Sequence, residues 1–384
     1  MKRRQVLAAI GVSTLSGCAA LTQGTSNKNS PTTLRDKPGE CANSPQWESL
    51  QGNPQRTGTY TETSPAFTET TSEVVFGRTV EGTTPVVGEY HIYVTGTDGL
   101  YALSRDSKST VWSKTISDFQ SLSPLVVCDL VVFQTGNQIS AFDTDDGTLR
   151  WDRDFVTGLG EASPLATSDA IYAAEQSSVS SLTFSGERNW EALNGDHAIH
   201  GIAASDDRLF VTASVPDDGG GAVHALTLDD GEHEWRTEGI ESHGEPVVGP
   251  DAVYVLERDG PVHALDRGSG ERRWQVDVES SANEAPPTLD IASNTLFTPT
   301  NSEVIAIDTE SRDVQWRTDV GGSDSGIAKC GDRLYVPGRN VTELDATTGE
   351  VLWESTEYAG TGPAAVTSNA LWVNAGQELV TFAP

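Results

Sequence analysis

The residues of this chain that could do chemistry are few and scattered. Seven histidines and four cysteines are spread over 384 positions. His197 and His200, with Asp196 beside them, put two imidazoles and a carboxylate into one short stretch, which is how a metal site begins. A zinc site needs a further protein ligand at a fixed spacing. The sequence offers none, so no metal is assigned, and His197 and His200 are retained as candidate interaction residues. Asp143-Thr144-Asp145-Asp146-Gly147 gathers three carboxylates in one turn. Calcium would use such oxygens but needs about six to eight of them, and an Asx turn with solvated acids accounts for the same residues. Serine is abundant, so no Ser-His-Asp order stands out from chance. The expectation is a protein with no catalytic residue, metal or cofactor of its own.

The elements that must position these residues come from a repeat. A hydrophobic strand, an acidic turn and a tryptophan recur seven times, ending at Trp112, Trp151, Trp190, Trp235, Trp274, Trp316 and Trp353, with spacings of 39, 39, 45, 39, 42 and 37. Residues 246 to 278 are a clean copy: four apolar or alternating runs separated by Gly, Asp and Pro turns, which read as an antiparallel meander. No window beyond the N-terminal leader carries a 3.6-residue apolar stripe. A four-stranded sheet this small buries both faces only by stacking on copies of itself, and about 40 residues per unit is the period of a β-propeller. One tryptophan per blade, on the outer strand, is then a structural seal between blades. His224 and His263 fall at equivalent strand positions in adjacent blades and are expected to face solvent.

The last repeat, from Gly362, lacks its fourth strand, and Glu73-Val74-Val75-Phe76 resembles Glu350-Val351-Leu352-Trp353, with Phe76 in the tryptophan's place. The fold expected is all-β: an eight-bladed propeller of four-stranded antiparallel blades, closed by residues 73 to 80 joining the C-terminal blade. Closure removes the exposed sheet edges. Blade 4 departs from the pattern with an acidic, glycine-rich insertion at 215 to 221. Its Asp217 and Asp218, with the 191 to 201 loop, Trp47 and Arg56, are the candidate interaction positions. Trp47 has a competing role as a plug for one end of the ring.

Ahead of the propeller, expected over 44–384, lie an export signal over 1–17 and a polar tether over 18–43. Arg3 and Arg4 before a short, weakly apolar run resemble a twin-arginine export signal. Leu15-Ser16-Gly17-Cys18 resembles a lipobox, which implies cleavage before Cys18 and a lipid on its thiol. Residues 22 to 40 are rich in Thr, Ser, Asn, Gly and Pro and read as a disordered linker. The location implied is the outer face of the cell membrane, attached by lipid alone. Asn340-Val341-Thr342 is a glycosylation sequon. Cys128 and Cys330 occupy matching turns of the non-adjacent blades 2 and 7, which argues against a bond between them. Cys41 could reach either.

The formal charge is −31, from 56 acidic and 25 basic residues, six of them lysine. Such a surface repels itself in dilute solution and is tolerated where salt screens it, as in a halophilic, haloarchaeal host. No basic stripe exists to meet nucleic acid.

Ala264-Leu265-Asp266 through Gly270 to Trp274 resembles the repeat of the pyrrolo-quinoline quinone (PQQ) family of eight-bladed propellers, Ala-x-Asp-x-x-x-Gly-x-x-x-Trp. Ala141 to Trp151 and Leu344 to Trp353 are further matches, and Trp47 to Gly58 is similar to the segment that precedes the ring in this family. Blade 3 departs, with Thr183 in the aspartate's place, and so does blade 6, with Arg312 in the glycine's. The family holds long dehydrogenases, which bind the quinone over calcium beside a pair of adjacent cysteines, and non-catalytic scaffolds, including the lipoprotein that assists outer-membrane assembly. The short chain and absence of adjacent cysteines favour the second class. The resemblance implies a monomeric, non-enzymatic scaffold for exported or membrane proteins, or for surface glycans, and a PQQ- and calcium-dependent dehydrogenase is the alternative.

Overall fold

The computed structural model describes residues 47–383, apart from stretches at 61–70, 80–81, 117–121, 136, 156–159, 196, 216–219, 279–284, 324 and 356. Arg3, Arg4, Cys18, Cys41, Asp217 and Asp218 lie outside the described residues, as does the whole tether. The described residues fall in one compact unit.

Eight antiparallel sheets form the blades of a propeller, with no helix among the described residues. Blade 1 is the simple case: Val86–Val87, His91–Gly96, Gly99–Ser104 and Thr110–Thr115 hydrogen-bond in sequence order. Blades 2 to 7 repeat this, beginning with the innermost strands Leu125–Val127, Leu165–Ala166, Ala198–Ala204, Val247–Val248, Thr288–Asp290 and Ala328–Cys330. Burial follows position. The second strand of blade 2, Leu130–Gln134, is buried throughout, whereas the outermost strand of blade 1 alternates, with Trp112 turned inward. That outer alternation is the period-2 signal of a strand with one wet face.

Blade 8 is assembled from both ends of the ring. Ala365–Thr367, Ala370–Ala375 and Glu378–Ala383 supply three strands and Thr71–Gly77 the fourth. Phe76 pairs with Leu379 and Val74 with Val380, the ladder skipping one residue between them. Trp274 pairs with Ala264 and Arg272 with Leu265, with the same skip. Counted across the whole blade, however, the ladder corrects the alignment. Trp274 pairs with Ala264, the partner of Tyr254. In blade 8 that place is held by Glu73, which pairs with Thr381, the partner of Trp372. Phe76 lies two rungs farther along and packs against Tyr101 of blade 1 instead. The strand is shorter than residues 73 to 80: beyond Gly77 the chain leaves this sheet, and Thr79 bridges Gly96 of blade 1.

The gaps between blades explain the repeat. Trp235 donates its indole N–H to the Arg267 carbonyl of blade 5 at 3.1 Å, and a Cβ added at Gly270 would come within 2.5 Å of its ring. Trp112, Trp151, Trp190 and Trp316 do the same to Thr144, Phe184, Leu228 and Ala346, over Gly147, Gly186, Gly231 and Gly349. The motif's glycine thus belongs to the blade that receives the indole. It also has a φ near +70°, which only glycine adopts without strain. In blade 6 Arg312 holds that conformation with φ +69°. The motif's aspartate organises the turn: Asp143 accepts the Asp145 N–H, Asp266 those of Gly268 and Ser269. Asp143 also pairs with Arg150. In blade 3 the Thr183 hydroxyl accepts the Glu187 N–H in the aspartate's stead.

In blade 4 both ends of the insertion belong to strands. Arg208–Val215 and Gly220–Thr227 are eight-residue strands paired to the end, Val215 with Gly220, so the extra residues lengthen a hairpin. The 191 to 201 stretch is likewise not one loop, since strands Arg188–Ala192 and Ala198–Ala204 flank only residues 193–197. Cys128 is disulfide-bonded, with a partner outside the described residues, while Cys330 keeps its thiol, buried in blade 7. The two are not joined to each other.

Candidate functional site in the axial channel

Residues 47–60 run across the axis of the ring and close it. Innermost strands carry backbone groups that no further strand can satisfy, and a buried unpaired amide is costly. This segment satisfies them in turn. Trp47 exchanges two bonds with Val87, of 3.0 and 2.9 Å. The carbonyls of Glu48, Pro54, Gln55, Thr57 and Gly58 then accept the N–H groups of Val126, Ala204, Val248, Leu289 and Lys329, at 2.8 to 2.9 Å. Thr59–Tyr60 ends the run as a parallel fifth strand on blade 7. Six blades are stitched to one peptide.

Arg56 lies at the centre, wholly buried. Its Nε donates to Ile202 O at 3.2 Å, Nη1 to Leu50 O at 2.6 Å and Ser49 Oγ at 3.2 Å, and Nη2 to Ser163 O at 2.7 Å and Pro164 O at 3.3 Å. A guanidinium has five N–H donors, and all five are engaged. Burial lowers the Arg56 pKa to about 10, against the opposing pull of Glu245 and Glu48. Burial raises Glu48 to about 7, with Arg56 resisting, and raises the buried Glu245 in the same way.

The open end of the channel is a cavity of about 210 Å³ with Leu50 in its wall. Glu161, His200, His243 and Glu245 line one side, delivered by blades 3, 4 and 5. His200, on the innermost strand of blade 4, sets Nδ1 2.6 Å from Glu161 Oε2 and Nε2 2.8 Å from Ser214 Oγ. The His243 ring lies flat on it, centroids 4.3 Å apart and planes within 4°.

Several expected positions move. Trp47 and Arg56 are not interaction surface: they are 1% and 0% exposed, because the segment that carries them is the plug. His197 and His200 do not act together. His200 enters the axial channel, whereas His197 packs edge-on against His224, centroids 5.3 Å apart. His224 and His263 do not face solvent; both are 2% exposed. His224 hydrogen-bonds His233 and His263 hydrogen-bonds Glu257. Burial, with its histidine neighbours adding, lowers the His224 pKa to about 3 and keeps the ring neutral. Asn340 is partly exposed and bonded to Glu354. Glu161 and His243 were missed by sequence reading, since neither is near His200 in the chain and no motif spacing links them.

Comparison with known proteins fits this geometry. The family model described as outer membrane protein assembly factor BamB matches residues 44–193, 175–303 and 300–383. The chain belongs to this family. No curated protein matches closely enough to be counted a relative. Among solved structures, the BamB of Moraxella catarrhalis is similar over 81% of this chain and 98% of its own, at 15% identity and a TM-score of 0.59. A quinohemoprotein alcohol dehydrogenase from Comamonas testosteroni is similar over 88% of this chain and 80% of its own, at 10% identity and a TM-score of 0.72. A europium-containing methanol dehydrogenase gives 14% identity, 87% and 90% coverage and a TM-score of 0.71. At these identities the structural likenesses establish the propeller and nothing finer.

Proposed function

We propose that the protein is a cell-surface scaffold: a propeller tethered through a lipid on Cys18, after export directed by Arg3 and Arg4, that binds exported or membrane proteins, or surface glycans, and does no chemistry itself. The observation that carries the reading is on the rim. The outermost strands of blades 6, 7, 8, 1 and 2 expose Val314, Val351, Leu352, Val74, Val111 and Leu149, each 37 to 50% accessible. These blades are consecutive around the ring. The outer strands of blades 3, 4 and 5 present arginine, glutamate and histidine instead. An arc of aliphatic side chains along open strand edges is a surface for another chain to pack on or extend.

The family's other class is the quinone dehydrogenase. The axial mouth does not suit that cofactor. A planar tricarboxylate needs cationic donors, and the axial guanidinium has none left to give. The side chains offered are carboxylates and imidazoles, in a volume below the roughly 300 Å³ at which ligand pockets begin.

Crosslinking on intact cells tests the proposal. Wild type should capture a defined set of exported proteins, and a Val314→Glu, Val351→Glu, Leu352→Glu variant should lose most of it. An unchanged set would remove the arc from the proposal. Stoichiometric binding of the quinone with calcium would replace the scaffold by the dehydrogenase. Membrane attachment should be lost in Cys18→Ser.

A further inference from the structure

We propose that Glu161, His200 and His243 form a site for one divalent transition-metal ion of the zinc class, at the open mouth of the axial channel. One ligand atom from each of the three residues lies within 4.8 Å of the other two. The donor set is two imidazole nitrogens and one carboxylate oxygen, which suits zinc and its borderline neighbours and not calcium or magnesium, which take oxygen alone. A three-ligand set leaves one coordination position, and that position opens on the 210 Å³ cavity, where water or a partner's side chain has room.

Two further features are those of a metal site. A ligating histidine is normally fixed by a hydrogen bond from its other nitrogen. His200 has that bond, from Nε2 to Ser214 Oγ at 2.8 Å, which leaves Nδ1 directed at Glu161. The surroundings are also acidic. Glu241 Oε1 lies 3.6 Å from His243 Nε2, and Glu245 is buried in the same wall. A cation entering here meets carboxylates; the Arg56 guanidinium is engaged by its five acceptors, and Arg258 Nη1, 3.8 Å from Glu241 Oε1, shares only that carboxylate. The stacked rings set a condition: an ion in the plane of each requires one ring to tip. His243 is the one with room, being 21% exposed at the cavity where His200 is 6%.

The test uses the full chain, stripped with chelator and held in high salt, titrated calorimetrically with Zn²⁺ and spectroscopically with Co²⁺. One equivalent should bind, with the visible bands of low-coordinate cobalt. His243→Ala and Glu161→Gln should each weaken binding by more than about 100-fold, and Ser214→Ala by the roughly 10- to 100-fold typical of a supporting partner. His233→Ala should bind as wild type does. Glu161 is exposed, so its variant stays folded and keeps the test open if His243→Ala does not fold. Absence of stoichiometric binding would overturn the assignment. So would binding unchanged in Glu161→Gln, or a thiolate charge-transfer band placing cobalt on a cysteine.

Discussion

The rim and the axis of this propeller are held by different kinds of contact. At the rim one arrangement is used repeatedly: an indole on a left-handed glycine, with its N–H on the neighbouring blade's carbonyl. Five gaps each have their own copy, so a fault is local. At the axis a single peptide touches six blades, and a single side chain, Arg56, binds carbonyls of blades 3 and 4 and of the plug itself. No second copy exists. The rim tolerates variation, as Arg312 and Thr183 show, while the axis concentrates its requirements in one residue.

Replacing Arg56 should therefore have the largest effect. Arg56→Met removes five donors and leaves Glu245 buried without its cation, which should cost about 3–5 kcal/mol. Arg56→Lys should recover little, because an ammonium cannot span the same acceptors. Denaturant unfolding in high salt measures both. A loss under 1 kcal/mol would mean that the axis is no more demanding than the rim.

A single rim fault should cost less. Gly270→Ala forces a Cβ to within 2.5 Å of the Trp235 ring at φ +73°, and about 2 kcal/mol is expected. If Gly270→Ala proves as damaging as Arg56→Met, the gaps between blades are coupled rather than independent.

The axis should also leave a signature in pH. The pKa of Glu48 is about 7 in the folded protein against 4.5 unfolded, so between those values the folded state holds the extra proton. Stability from this group is full below pH 4.5 and is lost as pH rises to 7, by about 3 kcal/mol. Glu48→Gln should flatten that slope. His224 works in the opposite sense: its folded pKa of about 3 lies below the unfolded 6.5, so its contribution is present above pH 6.5 and lost on acidification. A Glu48→Gln protein with the parent's stability profile over pH 4.5–7 would show that the axial acids are hydrated.

The smallest effect is at the rim. Arg312→Gly should stabilise by about 0.5 kcal/mol, the left-handed strain removed less the entropy that glycine loses. A destabilisation would mean that the arginine side chain makes a stabilising contact that glycine cannot.

The same comparison separates what was legible in the sequence from what was not. Trp274 announced its role because six other tryptophans share its spacing. Phe76 was aligned to them by the order of apolar and polar residues around it, but the paired strands put Glu73 at the tryptophan's rung, a slip of two rungs that no one-dimensional pattern reveals. His200 gave no such signal, since Glu161 lies 39 residues before it and His243 43 residues after it, in blades whose only relation is the ring. Arg56 sits in a stretch with no repeat at all. Its neighbours Trp47 and Gly58 marked the segment, but nothing in their order says that the guanidinium lies on the axis and not on a surface.

The sequence by itself determined the four-stranded unit, its number, the closing strand and the tryptophan seals, though not what stands at the tryptophan's rung in the closing strand. Each of these is periodic, and periodicity survives in one dimension. Tertiary structure alone decided the fates of the residues that occur once. It buried Trp47 and Arg56 in a plug and sent His197 and His200 in different directions. It turned His224 and His263 inward and brought Glu161, His200 and His243 from three blades to one mouth. Convergence on an axis is a property of the closed ring, and no interval along the chain encodes it.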